Sequence, residues 1–405
     1  MASESIFVGG LRSGGDAAVP SDSINERRDR SARQAAAGQD IWLSPEIVDH
    51  APQRHALLRL LAAAIDGVAR PEPWLDEQLD WDALITTAAA GRLLAHVYHG
   101  AIICGIDAPR SLREAARGFR GRSLLVNSVN LSTIQRVSGA LDRDGLAFVV
   151  IKGPLQLHAL YGDYFVRPSS DIDLLVARKD YDRAARVLST LNYQPADRCR
   201  SRWWTHYLGE QHFMADDKTL ATVDLHHRVQ QPGCPAPREL QSYIDEARRV
   251  ALGHAAVPVL SPVHACLLTA VSFVKAVYHR EHSMRYLCDF AMMLRAMNET
   301  DCASLRRTAE AQGLCNQLIF AWRCAADLLP VAMPLVPPRQ EAALSRSEMI
   351  GEIVLSPDSS GIVWPKRREL LWHLCDPRGP WGRVGPYLRE ASFAAAAELS
   401  RLRNK

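Results

Sequence analysis

Two aspartates, Asp171 and Asp173, stand one residue apart at the head of the apolar run Leu174-Leu175-Val176. On a strand, side chains alternate between faces, so residues i and i+2 point the same way about 6.6 Å apart along the backbone. Two carboxylates on one face repel unless a cation sits between them, and a hard ion such as Mg²⁺ takes oxygen ligands. A strand entering a core has no packing use for two such acids. Asp224, in Val223-Asp224-Leu225-His226, could supply a third carboxylate. In a two-metal arrangement, one ion lowers the pKa of an acceptor hydroxyl and the other steadies a polyphosphate and its leaving group. The chemistry within reach is metal-assisted transfer or hydrolysis at phosphorus. Asp-x-Asp alone also suits a solvated strand edge or a turn flank, so its surroundings must decide.

A phosphate site needs positive charge and open N–H groups. Lys152-Gly153-Pro154 offers both: Gly153 permits close backbone approach, Pro154 suits a first helical position, and the helix that follows presents unpaired N–H groups. A Gly-Pro pair on its own more often marks a turn. Arg167, Ser169 and Ser170 lie immediately before the acidic pair and could add donors. Around Asp224, a hairpin over Gln211–Met214 and Leu220–Leu225, closed at Asp216-Asp217-Lys218, would set Glu210 opposite Asp224 and His212 opposite Thr222. His226 would share a face with Asp224 and could touch substrate or orient a neighbour. The pair His212 and His226 could suggest Zn²⁺, but no cysteine accompanies them and carboxylate is the recurring ligand type. Arg285 and Asp289 stand at i,i+4 spacing on an expected helix and suit an ion pair. Arg198, Arg200 and Arg202 before Trp203-Trp204 could contact phosphate and a base, or form a charged surface segment with anchored tryptophans.

The elements that must position these groups follow from pattern. Ala147–Ile151 and Asp171–Val176 are short apolar runs that read as strands, with a helix from Pro154 toward Gly162 between them. Asp180 can cap a helix over Tyr181–Leu191, whose Ala184, Val187, Leu188 and Leu191 form a stripe. Helical periodicity also marks the segment after Ser44-Pro45, the stretches Trp81–Tyr98 and Leu124–Leu141, and, beyond Pro262, His264–Lys275 and Met284–Met297. A Pro-rich stretch, Pro330–Pro338, separates packed elements, and Trp364, Trp372 and Trp381 belong to a less patterned C-terminal part. The expected organisation is a flexible tail over 1–39, a helical module over 40–145, an α/β core over 146–250 and a mostly helical module over 251–405.

Composition narrows the class. The 405 residues are 47% hydrophobic, enough for more than one core, and 48 Lys and Arg against 45 Asp and Glu leave a net charge of only +3. That balance argues against wholesale wrapping of nucleic acid. Nine cysteines form no CxxC pair and fit a reducing, cytoplasmic setting. The expected chain has neither a secretory leader nor a membrane span, since no apolar run reaches about 18 residues.

Val150-Ile151-Lys152-Gly153-Pro154-Leu155, Tyr161-Gly162-Asp163 and Arg167-Pro168-Ser169-Ser170-Asp171-Ile172-Asp173-Leu174-Leu175-Val176 together closely resemble the bacterial "uncharacterised nucleotidyltransferase" family. Glu210-Gln211-His212-Phe213 and Val223-Asp224-Leu225-His226 are similar to that family's later strands, so the resemblance covers about residues 146–228, with a weaker likeness at Pro262-Val263-His264 and Arg285–Phe290. It implies a polymerase-beta-like α/β core with a mixed sheet. It further implies a metal site of Asp171, Asp173 and Asp224 for Mg²⁺ or Mn²⁺, and a nucleoside triphosphate as substrate. Lys152, Gly153, Arg167, Ser169 and Ser170 would contact the nucleotide. The implied reaction moves a nucleoside monophosphate to an acceptor oxygen on a small molecule, peptide or macromolecule and releases pyrophosphate. The alternatives are an inactive nucleotide-binding or interaction protein and a metal-dependent phosphate-ester hydrolase. In the wider superfamily a Gly-Ser pair opens the phosphate-binding helix and the acidic pair follows sooner. Here Gly153-Pro154 removes a hydroxyl donor that Lys152, Arg167, Ser169 or Ser170 could replace.

Overall fold

The computed structural model describes residues 51–69, 79–200, 203–217, 219–230, 234–329, 353–358 and 364, with isolated positions between 384 and 399. The expected tail over 1–39, the helix start at Ser44-Pro45, Arg202, Lys218, the stretch Pro330–Pro338, Trp372 and Trp381 lie outside the described residues.

Among the described residues seven strands form one mixed sheet: β1 (Phe148–Val150), β2 (Ile172–Val176), β3 (Tyr193–Pro195), β4 (Glu210–Ala215), β5 (Val223–His226), β6 (Arg248–Leu252) and β7 (Ala255–Val259). Their order is β3-β4-β5-β2-β1-β7-β6. β2 runs parallel to β5 and β1 parallel to β7, while the other neighbours are antiparallel. The short β3 and the hairpin of β6 and β7 are additions to the strands read from the sequence. Arg248-Arg249 and Ala255-Ala256 interrupt the apolar alternation that marks a strand.

Alternation along the strands decides which face holds the chemistry. Phe148, Val150, Ile172, Leu174, Val176, Val223 and Leu225 pack on one face against helices α4 (Arg110–Arg143) and α6 (Tyr181–Thr190), through Ile134, Val137, Leu141, Ala184 and Leu188. Val149 and Leu175 point the other way. They join a cluster built by the remaining N-terminal helices, α1 (Ala51–Asp66), α2 (Trp81–Ala90) and α3 (Leu94–Ile103), and by α8 (Pro262–His279), α9 (Met284–Ala296), α10 (Glu299–Gln312) and α11 (Cys315–Leu328). Asp173, between Ile172 and Leu174, and Asp224, between Val223 and Leu225, therefore belong to this second face. Two further helices are short, α5 (Pro154–Tyr161) and α7 (Gln241–Asp245). No described helix is long and apolar enough to cross a membrane.

Two expected helices differ in extent. The stretch Trp81–Tyr98 is broken at Gly91–Leu93, where Arg92 adopts the left-handed φ of 58°, so that α2 and α3 both turn back onto α1. α3 approaches α1 so closely that a Cβ on Gly100 would stand 2.0 Å from the Leu60 carbonyl oxygen. The helix expected from Leu124 instead starts at Arg110, directly after Pro109, and runs for 34 residues. Its buried stripe carries Phe119, Asn127, Asn130, Ile134, Val137 and Leu141.

Candidate metal centre

The parallel ladder between β2 and β5 sets Asp173 beside Asp224. Antiparallel β4 then sets His212 beside Asp224 and Glu210 beside His226. The expected register, with Glu210 opposite Asp224, is thus displaced by two residues. The cause is the connection, which spans 216–222 and holds its own turn, with Leu220 N–H donating to the Asp217 carbonyl and Thr219 to the Asp217 carboxylate. A slip of two keeps every side chain on its face but exchanges partners. Asp171 stands immediately ahead of β2, which starts at Ile172.

Asp173 is the hub. Its Oδ1 accepts from Lys152 Nζ at 3.1 Å and lies 3.0 Å from His226 Nε2, while its Oδ2 is buried without a hydrogen-bond partner. His226 Nδ1 lies 3.4 Å from Glu210 Oε2. His212 Nδ1 hydrogen-bonds Asp224 Oδ1, and the edge of Trp204 packs on the His212 ring. One ligand atom each from Asp173, Asp224 and His226 lie within 4.8 Å of one another, and all three residues are buried. An orphaned carboxylate oxygen beside further oxygen and nitrogen donors is a donor set that a divalent cation fits.

The electrostatics separate the paired acids. Burial pushes the Asp171 carboxyl up to about 6, helped by the charges of Asp173 and Asp224 and opposed by Lys152 and a Ser170 hydrogen bond. Burial acts in the same direction on Asp173, but Lys152 and the His226 hydrogen bond outweigh it and hold that carboxyl well below the usual range. Lys152 is raised in turn, because Asp173 and Asp171 overcome the desolvation that would lower it. His226 is also raised despite its burial, by Asp173 first and then by Glu210 and Asp224.

Gly153 precedes α5 with φ 106°, and no side chain caps that helix N-terminus. A Cβ there would meet only Ser169 Oγ, at 4.0 Å, so backbone conformation rather than space favours glycine. The loop from Gly162 to Ser170 is held from α4. Asn127 Nδ2 donates to the carbonyls of Tyr164 and Arg167 at 2.6 and 2.9 Å, its Oδ1 accepts from Ser169 N–H at 2.9 Å, and Asn130 Nδ2 donates to the Ser169 carbonyl at 2.8 Å.

Arg167 does not lie free beside the acids. Its guanidinium makes a bidentate ion pair with Asp289, whose Oδ1 also accepts from Tyr161 Oη at 2.7 Å, and His96 packs edge-on against Tyr161. The expected Arg285–Asp289 pair is replaced accordingly: Arg285 donates to the His282 carbonyl at 2.6 Å and to Tyr286 Oη at 3.0 Å. Arg92 lies within electrostatic range of Arg285, Arg167 and Asp171. Sequence reading missed Arg92, Asn127 and Asn130. The two asparagines had a signal, since they are polar residues in register with the buried stripe of a helix. Arg92 had none. Trp203–Leu208 forms a π-helical segment with Trp203 stacked on Tyr207 at 5.2 Å, which gives the two tryptophans packing partners.

A family model described as "Uncharacterised nucleotidyltransferase" matches residues 77–330, more than half of the chain. No curated protein matches the chain. Among solved structures, the antibiotic-resistance factor ANT(2'')-Ia in solution is 13% identical, with 46% of this chain and 93% of that chain covered at a TM-score of 0.31. An antigenic nucleotidyltransferase-like protein from Paracoccidioides brasiliensis is 14% identical, with 48% and 93% covered at a TM-score of 0.29. At those scores neither likeness adds to the assignment. The family match and the Asp173, Asp224 and His226 cluster support a metal-dependent, nucleotidyltransfer-type activity. The chain belongs to the uncharacterised nucleotidyltransferase family, within the polymerase-beta-like nucleotidyltransferase superfamily.

Proposed function

We propose that this protein transfers a nucleoside monophosphate from a nucleoside triphosphate to an acceptor oxygen and releases pyrophosphate. The observation that carries the reading is the side-by-side placement of Asp173 and Asp224 on parallel strands, buried, with one carboxylate oxygen lacking any partner. Asp171, Asp173 and Asp224 would hold Mg²⁺ or Mn²⁺, which when bound supplies charge neutralisation at the polyphosphate and a more acidic acceptor hydroxyl.

The chain's own residues do the rest by placement. Lys152, half exposed and already against Asp173, can turn its ammonium to a phosphate oxygen. Gly153 and the uncapped start of α5 offer backbone N–H groups to the same anion, with Ser169 and Ser170 at its edge. Because the Arg167 guanidinium is engaged by Asp289, we assign Arg167 to holding the loop that carries Ser169, Ser170 and Asp171 rather than to direct phosphate contact. His212, paired to Asp224, marks the side from which an acceptor hydroxyl would enter. We place the acceptor between the α/β core and the helices beyond Pro262. Nine cysteines with no CxxC pair support a cytoplasmic setting.

The test incubates the purified protein with each α-labelled nucleoside triphosphate, Mg²⁺ and native-cell extract, and identifies labelled products by mass spectrometry. A Mg²⁺-dependent adduct absent with Asp173→Asn supports transfer and reveals both acceptor and base. Phosphate release without labelling would point to hydrolysis. Partner binding that ignores nucleotide, with no labelling, would replace the reading by an interaction role.

A further inference from the structure

Both nitrogens of the buried His226 face a carboxylate. Nε2 lies 3.0 Å from Asp173 Oδ1 and Nδ1 lies 3.4 Å from Glu210 Oε2. The Nδ1 contact makes no hydrogen bond, so this buried ring nitrogen is aimed at Glu210 without a partner, like Asp173 Oδ2 beside it. A cation bound at Nε2 would leave the ring's one proton on Nδ1, facing Glu210. That is the carboxylate–histidine–metal arrangement, in which an outer carboxylate fixes the ring's orientation and tautomer.

The distances agree. Two ligands at right angles on an octahedral ion, each about 2.1 Å from it, stand about 3.0 Å apart. Asp173 Oδ1 and His226 Nε2 already have that separation, with Asp224 near enough to be a third ligand to the same ion. The Lys152 ammonium lies 3.1 Å from the same Asp173 Oδ1, on a half-exposed side chain. The β-ladders hold the constellation: β2 pairs Asp173 with Asp224, β5 returns to the same face two residues later at His226, and β4 sets Glu210 opposite His226.

We propose that His226 is a direct metal ligand, oriented by Glu210, and that the resulting oxygen–nitrogen site selects Mn²⁺ over Mg²⁺. Imidazole suits borderline transition metals, whereas Mg²⁺ is bound by oxygen. The inference rests on the metal-dependent reading above and adds to it the ligand set and the metal preference.

The experiment titrates the full chain with Mn²⁺ and records pulsed electron paramagnetic resonance, which detects coupling to a directly bound imidazole nitrogen. The wild-type protein should show that coupling and bind Mn²⁺ more tightly than Mg²⁺. His226→Asn should lose the coupling and at least tenfold in Mn²⁺ affinity, with a smaller change for Mg²⁺. Glu210→Gln should keep the coupling and lose about tenfold in affinity. His212→Asn should keep it, which excludes the other nearby ring. Bound Mn²⁺ without nitrogen coupling in the wild type overturns the proposal, even if a variant fails to fold. So does coupling that survives His226→Asn or vanishes with His212→Asn, and so does failure to bind Mn²⁺ with or without a non-hydrolysable nucleoside triphosphate. Nucleotide transfer without nitrogen coupling would sink this proposal alone. Nitrogen coupling without transfer would sink only the proposed reaction.

Discussion

Replacing Asp289 by asparagine tests how the loop before the acidic pair is held. The Arg167 and Asp289 side chains are 14% and 3% exposed, and the guanidinium makes both of its carboxylate contacts inside the protein. Asparagine keeps the volume and can still accept from Tyr161, so the change isolates the charge. It leaves a buried guanidinium without its counter-ion, a loss of about 3–5 kcal/mol when one partner of a buried pair is removed. With a denaturant slope of about 3 kcal/mol per molar urea, the midpoint should fall by roughly 1 M or more. Alanine should cost about 1–3 kcal/mol beyond that, because the Tyr161 hydroxyl also loses its acceptor. Urea titrations followed by tryptophan fluorescence and far-ultraviolet circular dichroism would measure both. The double change Arg167→Met with Asp289→Leu should recover most of the loss, since replacing a buried pair by apolar residues is often neutral. An Asp289→Asn midpoint indistinguishable from wild type would refute the reasoning, for it would mean that the pair is solvated.

Asp171 should behave in the opposite sense. Its carboxyl ionises near 6 rather than 3.8. Stability is therefore lost as pH rises through that interval and stays lost above it. Asp171→Asn should raise metal-free thermal stability at pH 7 but not at pH 4, and in wild type divalent-metal affinity should fall as pH drops through about 6. A pH-independent effect of the substitution would contradict this. Asp224→Asn should retain part of its nucleotide affinity yet slow single-turnover transfer by at least tenfold, and an unchanged rate would remove Asp224 from the nucleophile side. Gly153→Ala must hold φ 106° with a Cβ present. It should cost on the order of 1–3 kcal/mol in thermal or urea unfolding and weaken nucleoside triphosphate binding in calorimetry; a neutral result would show that the turn tolerates relaxation.

Much of the site could be read from the chain because its parts are local. Asp171 and Asp173 flank one residue of a short apolar run, and Lys152-Gly153-Pro154 marks a strand-to-helix junction within a few positions. The placement of Asp224 beside Asp173 was legible only through resemblance, since parallel pairing joins segments some fifty residues apart and leaves no periodic trace. Register failed where it depended on a loop: the β4–β5 connection folds its own turn, and so His212 rather than Glu210 met Asp224. The partner of Asp289 failed for another reason. Helical spacing proposed Arg285, but tertiary packing brought Arg167 to the carboxylate from outside the helix, and no i,i+4 rule can see that. The break at Gly91-Arg92 was similarly hidden inside an unbroken apolar rhythm.

The clamp that α4 places on the loop has a consequence for design. Asn127 and Asn130 reach backbone atoms of Tyr164, Arg167 and Ser169. Such a template recognises the path of the chain and ignores most of what the chain displays. Val166 is buried, but Phe165 and Pro168 are partly exposed and therefore more open to exchange than Asn127. A library built on those positions would sample new surfaces beside the acidic pair while the path itself stayed encoded some forty residues upstream. Information about the loop's shape is thus stored in a helix, and information about its specificity in the loop.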